Sequence, residues 1–132
     1  MILVTAAYGN QGQRLIPLLA RAGKRVRAMR ASGDLGALKA LGAAEAIHGD
    51  ASHPATLARA MDGIETVYHV GPSLHPRERE MGLAVVEAAE AAGVKHLVFS
   101  SVLMTGLPAI KPWGSTRASP SHKLVWATMS IA

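Results

Sequence analysis

Apolar and polar positions along this chain follow two alternating periods. Met1 to Thr5 (MILVT) is an unbroken apolar run, the mark of a strand buried on both faces. A glycine-bearing turn follows. Leu15, Leu18, Leu19 and Ala22 then recur at spacings of three and four, which predicts a helix over about Gly12 to Ala22. Gly23 stands where its C-cap is expected, and Pro17 inside it reads as a tolerated kink. Arg25 to Arg30 (RVRAMR) alternates and predicts a second strand. Leu35 to Leu41 reads as a short helix closed by Gly42, and Ala46 to Gly49 as a third strand. Ser52 is the expected N-cap of a helix ending near Asp62-Gly63. Thr66 to Val70 (TVYHV) predicts a fourth strand. Pro76 to Ala92 predicts a helix closed by Gly93, and His96 to Leu103 (HLVFSSVL) a fifth strand.

Strand, helix, strand repeated in this way implies parallel strands joined by right-handed crossovers. The expected fold is α/β: a three-layer, Rossmann-like sandwich of about five parallel strands in the order 3-2-1-4-5. The pattern fades after Met104. Pro108, Pro112 and Pro120 break any long helix, and both tryptophans, Trp113 and Trp126, lie here. Residues 1–103 are therefore read as the folded domain and 104–132 as an irregular basic tail. Within that tail, Lys123 to Ile131 is open to either a short helix or a strand.

Composition narrows the class. The chain has 132 residues, 49% of them hydrophobic and 17% charged, which suits one domain and argues against disorder. No apolar run approaches the roughly 18 residues of a membrane span. No basic leader with a cleavage site opens the chain, so the cytoplasm is the expected location. There is no cysteine, which excludes disulfides and thiolate chemistry. The net charge of +5 alone would suggest nucleic acid. Its distribution argues otherwise. All nine acids lie in residues 1–90 together with ten Lys and Arg, so most of the excess sits in the last third. Interleaved aromatics, a helix-turn-helix pattern and a basic face are all missing from the body, so no direct nucleic-acid binding is expected.

The turn after the first strand carries the chemistry. Thr5-Ala6-Ala7-Tyr8-Gly9-Asn10-Gln11-Gly12 places glycines between strand and helix, as a dinucleotide pyrophosphate requires. A plain strand-to-helix turn also favours Gly and Asn. The end of the second strand selects the coenzyme: an acid suits the ribose 2′-hydroxyl of NAD, an arginine the 2′-phosphate of NADP. Arg30 holds that position, and the first acid, Asp34, comes four residues later. NADP(H) is expected over NAD(H). Alternation sets Arg25 and Arg27 on the other face, with Met29.

Residues 1–103 resemble the NmrA-like branch of the atypical short-chain dehydrogenase/reductases. The resemblance rests on ILVTAAYGNQG, VRAMR, IHGDASHPATLARAMDGIETVYHV and AAEAAGVKHLVFSSVL, about three quarters of the chain. It implies that Gly9, Asn10, Gln11 and Gly12 bind the coenzyme. Ala6 stands where the family's first glycine belongs, and Tyr8 replaces a small residue. Asp50 matches the acid that accepts a hydrogen bond from the adenine amino group, with capping of the next helix as its other reading. Val70, Gly71 and Pro72 match the segment passing the nicotinamide, though Gly71-Pro72 also reads as a plain turn.

Ordinary superfamily members use a Ser and a Tyr-x-x-x-Lys. Ser100 and Ser101 stand where the Ser belongs, but the only tyrosines are Tyr8 and Tyr68. The resemblance therefore implies an NADP(H)-binding, redox-sensing or regulatory domain, with an NAD(P)H-dependent, quinone-reductase-like oxidoreductase or an inactive truncated fragment as the alternatives. Ser101 and Lys123 are the catalytic candidates, with a solvated tail lysine as the alternative for Lys123. The six histidines form no metal pattern. The resemblance also implies a longer chain with a C-terminal substrate lobe. A truncated product is expected, with a frame change near Met104. An uncovered fifth strand would be a poor edge, to be hidden by the tail, by a protein partner or a second subunit, or else to aggregate.

Overall fold

The computed structural model describes residues 1–72, 75–103 and 123–130, and for 101–103 and 123–130 the backbone alone. Ten elements follow in order: β1 (Ile2–Val4), α1 (Asn10–Arg21), β2 (Val26–Arg30), α2 (Gly36–Ala40), β3 (Glu45–His48), α3 (Pro54–Met61), β4 (Thr66–Val70), α4 (Glu78–Ala91), β5 (His96–Leu103) and β6 (Lys123–Ser130). One sheet runs β3-β2-β1-β4-β5-β6. The first five of these are parallel, as expected.

Successive strand residues point to opposite faces, and each face builds its own core. Leu3, Met29, Val67 and Leu97 pack with Leu57 and Met61 of α3 and Val85 of α4. Val4, Ala28 and Tyr68 pack with Ile16 of α1 and Leu38 of α2. The central strands β1 and β4 are buried on both faces, which explains their nearly continuous apolar runs. Arg27 of β2 is a charged residue with a structural task. Its Nε donates to Glu45 Oε2 at 2.6 Å, and Nη1 donates to Ala60 O at 2.9 Å and Asp62 O at 2.7 Å. It ties β2 to β3 and to the carbonyl end of α3, where a cation is favoured.

Two local expectations change. Ser52 does not cap α3: His53 holds that place, with Pro54 in the first turn. The Ser52 N–H instead donates to Asp50 Oδ1 at 2.8 Å. Proline suits the first turn because its missing N–H would have no partner there. The second change concerns the tail. Residues 123–130 are not irregular but form β6, the strand alternative. It pairs antiparallel with the whole of β5, from His96 opposite Ser130 to Leu103 opposite Lys123. Of the outcomes expected for the β5 edge, the structure shows the first: the chain's own tail covers it. The expectations for 104–122 lie outside the described residues.

Candidate functional site

The site lies at the carboxyl ends of the parallel strands, where β1 is flanked by β2 and β4 and successive crossovers leave on opposite faces. After β1 the chain stays tied to the sheet. Thr5 N–H donates to Tyr68 O at 3.0 Å and Ala7 N–H to Met29 O at 2.9 Å. Between them Ala6 adopts φ +47°, a left-handed conformation that strains any residue but glycine. The turn survives the substitution: Gly9 N–H donates to Ala6 O at 2.9 Å. Because the Ala6 side chain is exposed, Ala6→Gly removes backbone strain and loses no packing. It is expected to add about 1 kcal/mol of stability. A urea midpoint no higher than the parent's would show that alanine sits there without strain.

Gly9 is the N-cap of α1, and Asn10, Gln11 and Gly12 form its first turn, which has no acid and no side-chain cap. These amide hydrogens are left for an anion. Gly12 is where helix meets strand. A Cβ there would lie 2.2 Å from Ala7 O, so only glycine permits this approach. The Gln11 side chain reaches across the sheet, where its Oε1 accepts the Tyr68 hydroxyl at 2.8 Å.

Arg30 ends β2 beside this turn. Its guanidinium carbon lies 4.3 Å from the Tyr8 ring centroid, and Nη1 donates to the Asp34 carbonyl at 3.0 Å. Gly33, at φ +95°, makes room: a Cβ there would sit 2.5 Å from Arg30 Nη2. The Asp34 carboxylate faces away, accepting the N–H groups of Gly36 at 2.9 Å and Ala37 at 3.2 Å at the start of α2. Arg27, engaged by Glu45 and α3, is excluded from the site.

Asp50 sits between roles. Oδ1 accepts both the N–H and the hydroxyl of Ser52, each at 2.8 Å, and Oδ2 lies 3.6 Å from His53 Nδ1. These hydrogen bonds hold its pKa below the ordinary carboxylate value, Ser52 contributing most and His53 less, so it stays an acceptor. On β4, Val70 N–H donates to Thr5 Oγ1 at 3.1 Å. Gly71 follows with ordinary clearance, and a Cβ there would lie 3.5 Å from Glu78 Oε1.

Two residues of this site were not read from the sequence. Tyr68 braces Gln11, and His69 is fully buried with Nδ1 at 2.9 Å from Thr5 Oγ1. The Thr5 hydroxyl also accepts from Val70 N–H at 3.1 Å, and among the described residues His69 Nε2 has no hydrogen-bond partner. Burial pulls the His69 pKa down to about 4, so the ring is neutral. Burial also raises the Tyr68 pKa, and Ser100 offsets this only in part. A proton-transferring tyrosine needs the opposite shift. Ser100 itself is buried, its hydroxyl forming no well-aligned hydrogen bond. Backbone pairing sets Ser101 opposite Val125 and Lys123 opposite Leu103, on adjacent strands at this end of the sheet. Their side chains lie outside the described atoms. Among the described residues, no cluster of three or more His, Cys, Asp or Glu could hold a metal. Among them, too, no helix is long and apolar enough to cross a membrane.

A family model described as NAD(P)H-binding matches residues 6–128. An NAD(P)H azoreductase of Xenophilus azovorans is 37% identical over 102 residues, which is 76% of this chain and 35% of that protein. The triphenylmethane reductase of Citrobacter, solved with NADP(H), superposes with a TM-score of 0.66 at 25% identity, covering 76% of this chain and 37% of that one. An NADPH-dependent quinone oxidoreductase of Escherichia coli gives a TM-score of 0.59 at 28% identity, covering 72% of this chain and 32% of that one. The chain thus spans about a third of the length of these relatives. It belongs to the NAD(P)H-binding family, and within it to the NmrA-like, atypical short-chain dehydrogenase/reductase type.

Proposed function

We propose that this chain binds NADP(H) in preference to NAD(H), as the coenzyme-holding part of an NADPH-dependent reductase. The observation that carries the coenzyme preference is the pairing of Arg30 and Asp34. A ribose 2′-hydroxyl calls for an acceptor and a 2′-phosphate for donors. Arg30 holds its guanidinium beside the phosphate turn, while the nearest acid is committed to α2. Gly9, Asn10, Gln11 and Gly12 would hold the pyrophosphate on the first amides of α1. Asp50 would accept from the adenine amino group, and Val70 and Gly71 would border the nicotinamide.

The bound coenzyme would supply a hydride. The chain's own residues bind and orient, and no tyrosine–lysine pair delivers a proton. This favours acceptors whose conjugation spreads the charge left by hydride addition, so that water can protonate the product. Azo compounds and quinones, the acceptors of two relatives above, share that property, while a cationic triphenylmethane dye is neutralised by the hydride itself and needs no proton. Ser101 and Lys123 are the groups to test for substrate contact. The same missing proton donor also favours a second reading, a redox sensor that binds the coenzyme without consuming it.

Calorimetric titration tests the preference. Arg30→Glu is expected to weaken NADP⁺ binding by about 10- to 100-fold, through loss of a charge-assisted contact. Equal NADP⁺ affinities in parent and variant would remove Arg30 from the site. Oxidation of NADPH in the presence of a quinone separates the two readings: tight binding without turnover favours the sensor.

A further inference from the structure

We propose that Tyr8 is a positioning residue for coenzyme selectivity, acting through Arg30. This rests on the reading of Arg30 as the 2′-phosphate donor. Tyr8 belongs to neither core cluster and is 43% exposed, so packing does not explain an aromatic ring there. Its backbone is fixed, since Gln13 Nε2 donates to Tyr8 O at 2.6 Å. Its ring lies under the Arg30 guanidinium, 4.3 Å from centroid to guanidinium carbon.

Three features then surround one flexible side chain. The Tyr8 ring covers one face of the guanidinium. The Asp34 carbonyl takes Nη1. The absent side chain of Gly33 leaves space for Nη2. Among the described residues Nε and Nη2 have no hydrogen-bond acceptor, so an edge of the fork stays available while the plane is held. An arginine side chain loses considerable rotamer freedom when it binds a phosphate. Fixing it beforehand lowers that cost and favours the ligand that uses the fork. A ligand with a bare 2′-hydroxyl gains little from this arrangement. The bulky residue beside the pyrophosphate turn is thereby the source of discrimination between the two coenzymes.

The test uses the full chain, with calorimetric affinities for NADP⁺ and NAD⁺ in the parent, Tyr8→Leu, Tyr8→Phe and Arg30→Ala. Thermal melting checks that each variant folds. The measured quantity is the ratio of the two affinities, which a general loss of fold would not change selectively. Tyr8→Leu is expected to lower the NADP⁺ to NAD⁺ ratio about 3- to 30-fold, the range of a cation–π contact. Tyr8→Phe keeps the π face and should retain the parental ratio. If Arg30→Ala collapses the ratio while Tyr8→Leu leaves it intact, Arg30 stands and the role of Tyr8 is overturned. If Tyr8→Phe loses as much as Tyr8→Leu, the phenol hydroxyl and not the ring is responsible, which also overturns it. If Arg30→Ala leaves the ratio unchanged, or the parent binds neither coenzyme, the underlying reading fails and this inference with it.

Discussion

Gly12→Ala is expected to destabilise the fold by about 4 kcal/mol, a large share of the roughly 5–15 kcal/mol that holds a typical domain together. The added methyl would meet three backbone atoms of Ala7, its O at 2.2 Å, C at 2.5 Å and Cα at 2.6 Å. No rotamer change relieves a clash with backbone. The start of α1 would have to move off β1, carrying Gln11 away from Tyr68 and the first amides out of the phosphate turn. Gly9→Ala is the control, since its Cβ would lie 3.2 Å from Ala6 O, a tight but adjustable contact. Urea denaturation followed by circular dichroism measures both. A Gly12→Ala midpoint close to that of Gly9→Ala would show that the helix does not rest on the strand as described.

Acid is expected to weaken the protein before its carboxylates titrate, and His69 is the cause. In the unfolded chain its pKa returns to about 6.5, against about 4 in the fold. Between those values the unfolded state binds the extra proton, so stability falls as the pH falls through that window. The full loss from this one side chain is about 3 kcal/mol, and it levels off below pH about 4. Asp50 acts in the same direction but in a lower window: its folded pKa is depressed below the ordinary carboxylate value, so its contribution is lost only as the pH falls through that depressed pKa. His69→Gln keeps an acceptor for the Thr5 hydroxyl and removes the titrating ring. Its unfolding free energy should change much less between pH 6.5 and 4 than the parent's. Parallel pH profiles for the two proteins would assign the acid sensitivity elsewhere.

The two central strands beyond β1 were legible to the residue. TVYHV and HLVFSSVL lie between turn-forming segments, and burial on both faces leaves little freedom in where they begin. Helix starts were less legible, because they depend on which local group takes the free amides. α1 begins at Asn10, ahead of its apolar stripe, because its first turn is left open at the phosphate turn. α3 begins at Pro54 because Asp50 takes the Ser52 amide. The strand-two arginines could be sorted by alternation alone, and Arg27 does turn to the other side. Tyr68 and His69 could not be placed in the site, since their partners Gln11 and Thr5 are far away in sequence. Only the register of β4 against β1, with Thr66 beside Ile2, brings them together. β6 carries no usable period because it forms by pairing along the sheet margin.

The direction of β6 has a consequence for engineering. β5 runs parallel to β4, so Leu103 stands at the carboxyl end of the parallel strands, and Lys123 is its partner across the antiparallel ladder with β6. The two residues therefore form a pair of anchors beside the site. Every position of the β5–β6 ladder thus has a fixed opposite residue, from His96 with Ser130 to Leu103 with Lys123. A designer wishing to alter this margin of the sheet would work on the paired positions of β5 and β6, which lie strands away from the glycine turn and Arg30.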